Sequence, residues 1–260
     1  MTAVSGGDAT TGPLLAVRGL EKRFGGIVAT DNVDLDVARG DVHAVIGPNG
    51  AGKTTLVAQL GGQLASDRGQ IVFDGADVTA LAPHVRARRG LARSFQITRL
   101  FASASVLDNV ALAVQAVSGT SFAAWRPVGR ELALFERARA ALADVGLGAK
   151  EGLAIDRLSH GERRALEVAL ALASRPKLVL LDEPMAGLGV DESARMERLV
   201  DGLRAHCAVL LIEHDVDAVF RLADRVSVLV GGRVIASGTP AAVRADAAVV
   251  AAYLGDEAAR

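Results

Sequence analysis

The chain has 260 residues, half of them hydrophobic, and a formal net charge of −1. This length and composition predict a globular protein of one large or two small domains. The basic residues are not massed in one block, so nothing indicates a nucleic-acid partner. No apolar run reaches the roughly 20 residues needed to cross a bilayer. The single cysteine, Cys207, excludes an internal disulfide and is expected to be buried.

The first residues of the chain, 1–12, are small and mostly polar. They have neither the basic start nor the apolar block of an export signal, so they predict a disordered tail. We therefore expect the protein to act in the cytoplasm.

Two kinds of strand are predicted in the N-terminal third. Residues 32–37 alternate apolar and polar side chains, as a half-exposed antiparallel strand does, whereas residues 42–46 form a continuous apolar run typical of a strand buried on both faces. The Asp-Gly pair at 74–75 and the Gly-Gly pair at 231–232 each separate two extended segments and predict hairpins. The sheet is therefore expected to be mixed.

The middle of the chain has a different pattern. Between residues 106 and 173 the apolar spacing is helical, and no segment has a convincing strand pattern. Beyond it, apolar strands are predicted at the start of KLVLLDEP (177–184) and AVLLIEHD (208–215), and the helix between them has apolar residues at helical spacing. The fold class predicted is α/β, with a helical subdomain inserted in the core.

The strongest motif is GPNGAGKTT, residues 47–55, which matches the phosphate-binding loop G-x-x-x-x-G-K-[ST] between a buried strand and a helix. Loop amides and the helix N-terminus can bind phosphate oxygens, Lys53 can reach the terminal phosphates, and the Thr54 hydroxyl can ligate Mg²⁺. The alternative is a glycine-rich turn with an incidental lysine. The residues predicted to bind nucleotide here are Gly47, Pro48, Asn49, Gly50, Ala51, Gly52, Lys53, Thr54 and Thr55.

Acidic residues follow the next apolar strand. Asp182 is predicted to be a metal ligand and Glu183 to orient or deprotonate the attacking water, because the carboxyl ends of core strands meet at the sheet edge that carries the loop. An exposed acid beside Pro184 is the alternative for Glu183. His214 follows another core strand, where a lone histidine is more often structural than catalytic.

A third motif is LSHGE, Leu158 to Glu162. Ser159 and, three positions later, Glu162 precede an apolar periodic run, which predicts a capping box at the start of a long helix.

Together these motifs resemble the ATP-binding subunits of ABC transporters over almost the whole chain. The resemblance implies a P-loop NTPase (RecA-like) core with a mixed sheet, an antiparallel β subdomain and an inserted helical subdomain. It divides the chain into a tail (1–12) and one ATPase domain, 13–260, with core 13–96 and 174–260 and helical subdomain 97–173. It also implies ATP and Mg²⁺ as cofactors.

Further roles follow from the resemblance alone. LSHGE matches the family's signature motif, so Ser159 and Gly161 would bind the γ-phosphate of ATP held by a second subunit. Gln96 matches the glutamine loop that senses metal and water, and would be both catalytic and metal-binding. Phe24 stands where the family has an aromatic that stacks on adenine, a hairpin core residue being the alternative. His214 matches the switch histidine.

The finer match is to the branched-chain amino acid import type, through residues 99–101 (RLF) after the glutamine and 251–255 (AAYLG) near the end. It implies a partner ATPase, identical or related, two integral membrane permeases and, indirectly, an extracytoplasmic substrate-binding protein. The chain would then be peripheral on the inner face of the cell membrane. Relatives carry other amino acids, amides or urea, and a lipid exporter uses the same ATPase design, so these alternatives stay open.

Three positions depart from the family pattern. His160 and Glu162 replace glycine and glutamine in the signature, and we expect the Glu162 carboxylate to face its own capping amide, because it would repel a γ-phosphate. Gly189 replaces the aspartate or asparagine of a loop at the dimer interface, which predicts that communication between the two ATP sites is weaker or depends on the partner chain.

Other functional classes fit less well. DNA-repair and translation members of the family need a coiled-coil insert or two tandem ATPase domains, for which the chain is too short. A small P-loop phosphotransferase has no use for the signature, and a non-hydrolysing regulator is disfavoured because both Glu183 and His214 are present.

Overall fold

The computed structural model describes residues 12–94, 100–102, 104–117 and 129–257. The strands are β1 (Leu15–Phe24), β2 (Ile27–Val37), β3 (Val42–Ile46), β4 (Arg68–Phe73), β5 (Ala76–Asp77), β6 (Leu91–Arg93), β7 (Leu178–Asp182), β8 (Ala208–Ile212), β9 (Arg225–Val230) and β10 (Arg233–Gly238). The α-helices are α1 (Lys53–Leu60), α2 (Pro83–Arg88), α3 (Val106–Val117), α4 (Gly129–Asp144), α5 (His160–Leu172), α6 (Val190–Gly202), α7 (Val216–Leu222), α8 (Pro240–Arg244) and α9 (Ala247–Glu257). Short 3₁₀ turns cover Gly148–Lys150, Ile155–Arg157 and Leu203–Ala205.

The central sheet has six strands in the order β10-β9-β3-β8-β7-β6 within the described residues. The five strands from β9 to β6 are parallel to one another, and β10 pairs antiparallel with β9. Every residue of β3, β7 and β8 is buried, as their continuous apolar runs predict. Because the strands are parallel, β3, β7 and β8 end at one edge, where both Val45 and Asp182 pair with Ile212.

A second, antiparallel sheet has the order β2-β1-β4-β5. Its β4–β5 hairpin turns at residues 74–75, where Asp74 has a φ of 50° and Gly75 one of 77°, as in a two-residue hairpin loop. The β9–β10 hairpin of the central sheet turns at 231–232 in the same way. Both hairpins predicted from the sequence are therefore confirmed.

The helices pack against the central sheet, and the contacts between them form an apolar core of two clusters. One cluster joins that sheet to the helical segment through residues such as Val110, Leu142 and Leu166. A second cluster fills the space between the two sheets and α1, and includes Leu56 and Phe73. Cys207 is buried as expected, and burial raises the pKa of its thiol to about 11.

The fold class predicted from the sequence is confirmed: an α/β core with a mixed sheet, an antiparallel sheet and helices α3, α4 and α5 between β6 and β7. The division at residues 96–97 and 173–174 stays a prediction. The apolar helix face predicted before β8 is also present, since Met196, Val200 and Leu203 are buried and Leu199 packs against them. Among the described residues, no helix combines the length and apolar character that a membrane span requires.

Candidate functional site

The phosphate-loop sequence follows β3 directly and ends in α1, the strand–loop–helix context that the motif requires. Gly52 precedes the helix with a φ of 103°, and a Cβ there would lie 2.1 Å from the Ala29 carbonyl oxygen. A Cβ at Gly47 would lie 2.0 Å from the Leu229 oxygen. Only glycine therefore allows this loop to pass so close to β2 and β9.

The side chains of the loop divide by exposure. Asn49 and Thr54 are exposed and Thr55 is half-buried, whereas Lys53 is buried. The Lys53 ammonium donates to the carbonyl oxygens of Gly47, at 2.6 Å, and Pro48, at 3.1 Å. Burial lowers the pKa of Lys53, and the nearby Glu183 and Asp182 carboxylates oppose that change. The lysine therefore lies within the electrostatic reach of both acids that follow β7.

Asp182, the last residue of β7, is buried beside Arg93 of β6. The Arg93 Nη2 atom donates to Asp182 Oδ2 at 2.8 Å, and Arg93 Nη1 also donates to Gln63 Oε1 at 3.2 Å. The other carboxylate oxygen, Oδ1, is buried without a hydrogen-bond partner in the described part of the chain. A buried, unpartnered carboxylate oxygen is a fitting ligand for a hard cation.

Glu183 follows with a φ of 49°, a conformation that residues with side chains seldom adopt. Its amide donates to the Ile212 carbonyl at 2.9 Å, so the strained residue is held against the end of β8. Backbone strain of this kind concentrates at functional sites. The geometry thus fixes Glu183 at the edge where the phosphate loop begins.

A third acid, Glu213, is fully buried directly after β8. Its carboxylate accepts from the amides of Met185, at 2.9 Å, and His214, at 3.2 Å. Burial raises the pKa of Glu213, and the two amides oppose this. Glu213 therefore connects the segment after β7 to the segment after β8, which carries His214 with its ring mostly exposed.

The signature segment forms the predicted capping box. Ser159 Oγ accepts from the Glu162 amide at 3.2 Å, and Glu162 Oε2 accepts from the Ser159 amide at 3.0 Å. The expectation that Glu162 faces its own capping amide is confirmed, and Lys150 pairs with its other oxygen. The Gly161 amide lies outside the box and donates to Glu192 of α6. The two amides that the box satisfies are therefore those of Ser159 and Glu162, and the Gly161 amide is not one of them.

Two other predicted residues have different outcomes. Phe24 is 50% exposed at the end of β1, which excludes the hairpin-core alternative, and the Lys22 ammonium lies 5.7 Å from its ring centroid. Gln96 lies outside the described residues, as does Arg99.

The departure at Gly189 has a local consequence. Gly189 is the N-cap of α6 and provides no side-chain cap, and the next residue, Val190, is 88% exposed. The exposed valine leaves a single apolar group on the surface at the start of α6, two positions before Glu192.

Sequence reasoning missed Arg93, Glu192 and Glu213. Glu213 could have been identified, because it is an acidic residue that directly follows an apolar run, as Asp182 does. The other two act on partners far along the chain, Arg93 on Asp182 and Glu192 on Ser159, so no local pattern identifies them.

Comparison with known proteins agrees with this geometry. The family model described as ABC transporter matches residues 30–186. A second model, described as branched-chain amino acid ATP-binding cassette transporter, matches residues 233–259.

Curated relatives and solved structures match along nearly their whole length. The high-affinity branched-chain amino acid transport ATP-binding protein BraF of Pseudomonas aeruginosa is 38% identical over 251 residues, which are 94% of this chain and 98% of BraF. The lipopolysaccharide export system ATP-binding protein LptB of Acidithiobacillus ferridurans is 38% identical over 245 residues, 94% of this chain and 98% of LptB. The ADP conformation of MJ1267, an ATP-binding cassette of an ABC transporter, superposes with a TM-score of 0.81 at 29% identity, covering 94% of this chain and 100% of MJ1267. The chain therefore belongs to the ABC transporter family, as an ATP-binding cassette.

Proposed function

We propose that the chain is the ATP-hydrolysing subunit of an ABC importer for branched-chain or related amino acids. One observation carries the hydrolysis: the phosphate loop follows β3 and the Asp182-Glu183 pair follows β7, and both lie at the carboxyl edge of the parallel strands, on either side of β8. Ligands of open α/β sheets bind at this edge.

The phosphate groups of ATP would bind to the loop amides and to Lys53. The nine residues from Gly47 to Thr55 form this cradle, in which glycine allows close backbone approach and α1 contributes its positive end. The Lys53 ammonium donates to the loop carbonyls, and it would turn from them to a terminal phosphate when ATP binds. The exposed ring of Phe24 is available to stack on adenine.

Asp182 and Thr54 are the residues that would hold the metal. The unpartnered Oδ1 atom of Asp182 and the exposed Thr54 hydroxyl at the start of α1 are the oxygen ligands that Mg²⁺ prefers. Bound there, Mg²⁺ supplies neutralising charge to the phosphate oxygens. We assign Gln96 to the same metal and to the attacking water, on family resemblance.

Glu183 would accept the proton of the attacking water, since a carboxylate at the reacting edge can act as a general base. His214, whose ring is exposed after β8, would contact the γ-phosphate. Its backbone is positioned by Glu213, which holds the amides of His214 and Met185 together.

The ATP site would be completed by a second ATPase subunit, identical or related. The hydroxyl of Ser159 and the amide of Gly161 open the N-terminus of α5, whose positive end favours an anion. We propose that they bind the γ-phosphate of ATP held by the other subunit.

The amino-acid assignment is supported by the match of residues 233–259 and by BraF. We propose that the chain docks on two integral membrane permeases at the inner face of the cell membrane. A substrate-binding protein outside the membrane would deliver the solute to those permeases.

A second candidate is lipid export, because LptB is as similar to this chain as BraF is. Deleting the gene and measuring both uptake of radiolabelled leucine and lipopolysaccharide at the cell surface separates the two. Loss of leucine uptake with normal surface lipopolysaccharide supports import, and the reverse result supports export.

The hydrolysis proposal is tested with Glu183→Gln. We expect Mg-ATP to bind as in the parent while turnover falls by roughly 10²- to 10⁴-fold, the usual contribution of a general base. Lys53→Ala is the contrasting variant, because it should lose nucleotide binding itself. Parental turnover by Glu183→Gln would falsify the role given to Glu183.

A further inference from the structure

The first turn of α5 already holds an anionic oxygen from its own chain. Glu192, in the first turn of α6, places Oε1 3.1 Å from the Ser159 hydroxyl oxygen and 3.2 Å from the Gly161 amide nitrogen. Both groups donate to this single oxygen. The same two donors are those proposed above for a γ-phosphate.

This contact is separate from helix capping. Within the capping box, Ser159 Oγ accepts from Glu162, and Glu162 in turn accepts from the Ser159 amide and pairs with Lys150. The cap is therefore complete without Glu192. What Glu192 adds is an acceptor for the Ser159 hydroxyl proton and for the Gly161 amide, both of which point away from the box.

The contact also depends on the glycine of the signature. A Cβ at Gly161 would lie 2.8 Å from both Cδ and Oε1 of Glu192, closer than such atoms approach. A side chain at position 161 would thus push the carboxylate away. Because Gly161 has no side chain, the Glu192 carboxylate can reach the Gly161 amide.

Two anionic oxygens cannot share these donors. A phosphate oxygen at the hydroxyl and amide would lie within contact distance of Oε1, where like charges repel strongly near a protein surface. The Glu192 carboxylate must therefore leave before a phosphate can take its place.

A cavity beside Glu192 can receive the displaced carboxylate. A cavity of about 440 Å³ adjoins Glu192, and Arg195 and Arg198 line it. Among the described residues neither arginine forms a salt bridge, although the charge of Arg195 contributes to lowering the pKa of Glu162, and the half-buried Glu192 forms none either. If the Glu192 side chain rotates into this cavity, its carboxylate loses the hydrogen bonds to Ser159 and Gly161. It can then form an ion pair with one of the arginines that line the cavity.

We propose that Glu192 is an internal stand-in for the partner's γ-phosphate, a positioning residue that keeps the Ser159 hydroxyl and Gly161 amide aligned in the separated subunit and is displaced when the ATP-bound pair closes. This rests on the proposed function, in which the signature binds ATP across a subunit interface. Displacing the carboxylate opposes closure, so Glu192 sets how much ATP is needed to bring two subunits together.

The test is an ATP titration of subunit association in the Glu183→Gln background, which holds ATP without turning it over. Full-length chain, alone or with the second cassette of its transporter, is followed by analytical ultracentrifugation in the presence of Mg²⁺. Because a hydrogen bond to a charged acceptor is stronger than one to a neutral amide, Glu192→Gln should lower the ATP concentration at half-association about three- to tenfold. Glu192→Ala should lower it at least as far.

The matched control is Asp191→Asn. It removes the same charge from the neighbouring, exposed position, and no described contact joins Asp191 to Ser159 or Gly161. We expect less than about a twofold change, because a general charge effect at the surface is screened.

The outcomes separate the two proposals. If the Glu183→Gln parent does not associate at saturating ATP, the shared-site function fails and the stand-in role fails with it. If the parent associates but Glu192→Gln and Glu192→Ala need as much ATP as the parent, or more, the stand-in role alone is overturned. Circular dichroism establishes that Glu192→Gln, which preserves side-chain shape, is folded.

Discussion

Arg93 and Asp182 form an ion pair across neighbouring strands, with the Nη2 and Oδ2 atoms 2.8 Å apart. The Asp182 side chain is 1% exposed and the Arg93 side chain 13%. A buried carboxylate is costly unless it is paired, and Lys53, the other nearby cation, donates its hydrogen bonds to the phosphate loop. The guanidinium is therefore the direct counter-charge of the proposed metal ligand.

Arg93→Leu should lower the free energy of unfolding by about 3–5 kcal/mol, the usual cost of leaving one member of a buried pair uncompensated. Added Mg-ATP should stabilise this variant more than the parent, because the metal can replace the missing positive charge. Urea unfolding with and without Mg-ATP measures both effects.

The control is the double variant Arg93→Leu with Asp182→Asn. Since the uncompensated charge is then absent, its loss of stability should be well below the sum of the two single losses. If the stability losses of the two single variants add up in the double variant, Arg93 and Asp182 do not stabilise each other.

Much of the fold could be predicted because the decisive signals are local. The buried strands β3 and β7 read as continuous apolar runs, and the Asp74-Gly75 turn requires backbone angles that this pair adopts readily. The capping box at Ser159 follows from residues three positions apart.

The contacts that the sequence could not predict join residues far apart. Arg93 lies 89 positions from Asp182, and Glu192 lies 33 from Ser159. An arginine before a glutamine loop or an acid in a first helical turn is equally consistent with a solvated surface. Only the register of β6 on β7 and the packing of α6 beside α5 bring these charges to their partners.

His43 should make stability depend on pH. It is buried in β3, its Nε2 atom lies 2.8 Å from the Ser227 hydroxyl, and burial, with a smaller effect of Arg225, lowers its pKa to about 4. The folded protein thus binds fewer protons than the unfolded chain between pH 4 and 6.5. The stabilisation from neutral His43 is complete above pH 6.5 and is lost as pH falls towards 4.

Urea unfolding should show this contribution as a loss of about 2 kcal/mol between about pH 7.5 and pH 5. His43→Gln removes the titrating group, so its stability should change less over the same range, whatever its stability at neutral pH. An identical pH slope in the two proteins would refute the assignment to His43.

Phe101 should couple ATP hydrolysis to the membrane partner. Its ring is 61% exposed, while its backbone amide and carbonyl are held by the Asn109 side chain of α3 at 2.8 and 3.2 Å. An apolar ring on an anchored backbone is suited to an interface. Phe101→Ala should therefore reduce solute transport in membrane vesicles and leave the ATPase activity of the isolated chain unchanged.

Ile235→Ala is the matched control, because Ile235 is also an exposed hydrophobic residue but lies on β10. It should transport normally. Normal transport by Phe101→Ala as well would mean that the permease does not use this ring.

Gly161→Asp distinguishes a capping role of the signature from a role in ATP hydrolysis. For a helix cap alone, an acid in the first turn is tolerated or favoured by the dipole, so ATPase activity should survive. If the Gly161 amide meets a partner's γ-phosphate, the new carboxylate occupies the place of an anion and hydrolysis should collapse, although the chain still binds ATP. We expect the second result, measured with the partner ATPase that the complex requires.

Glu192 adds a stability effect that must be separated from this loss of activity. A Cβ at Gly161 meets the Glu192 carboxylate, so Gly161→Asp also brings two acids together and should lower stability. Combining it with Glu192→Gln should restore part of the stability, because the charge repulsion is removed while the steric contact remains, and none of the activity, because the introduced aspartate still blocks the amide. Recovery of activity in this double variant would place the defect in folding.

Mixing Gly161→Asp chains with Glu183→Gln chains then tests whether the site is shared between subunits. In each mixed pair, one composite site has the intact phosphate loop and Glu183 of the first chain and the intact signature of the second. Hydrolysis should return only on mixing, in proportion to the mixed pairs formed, because neither variant contains a complete site with its own kind. A mixture as inactive as its separate components, despite association shown by ultracentrifugation, would mean that both sites must be intact for either to hydrolyse.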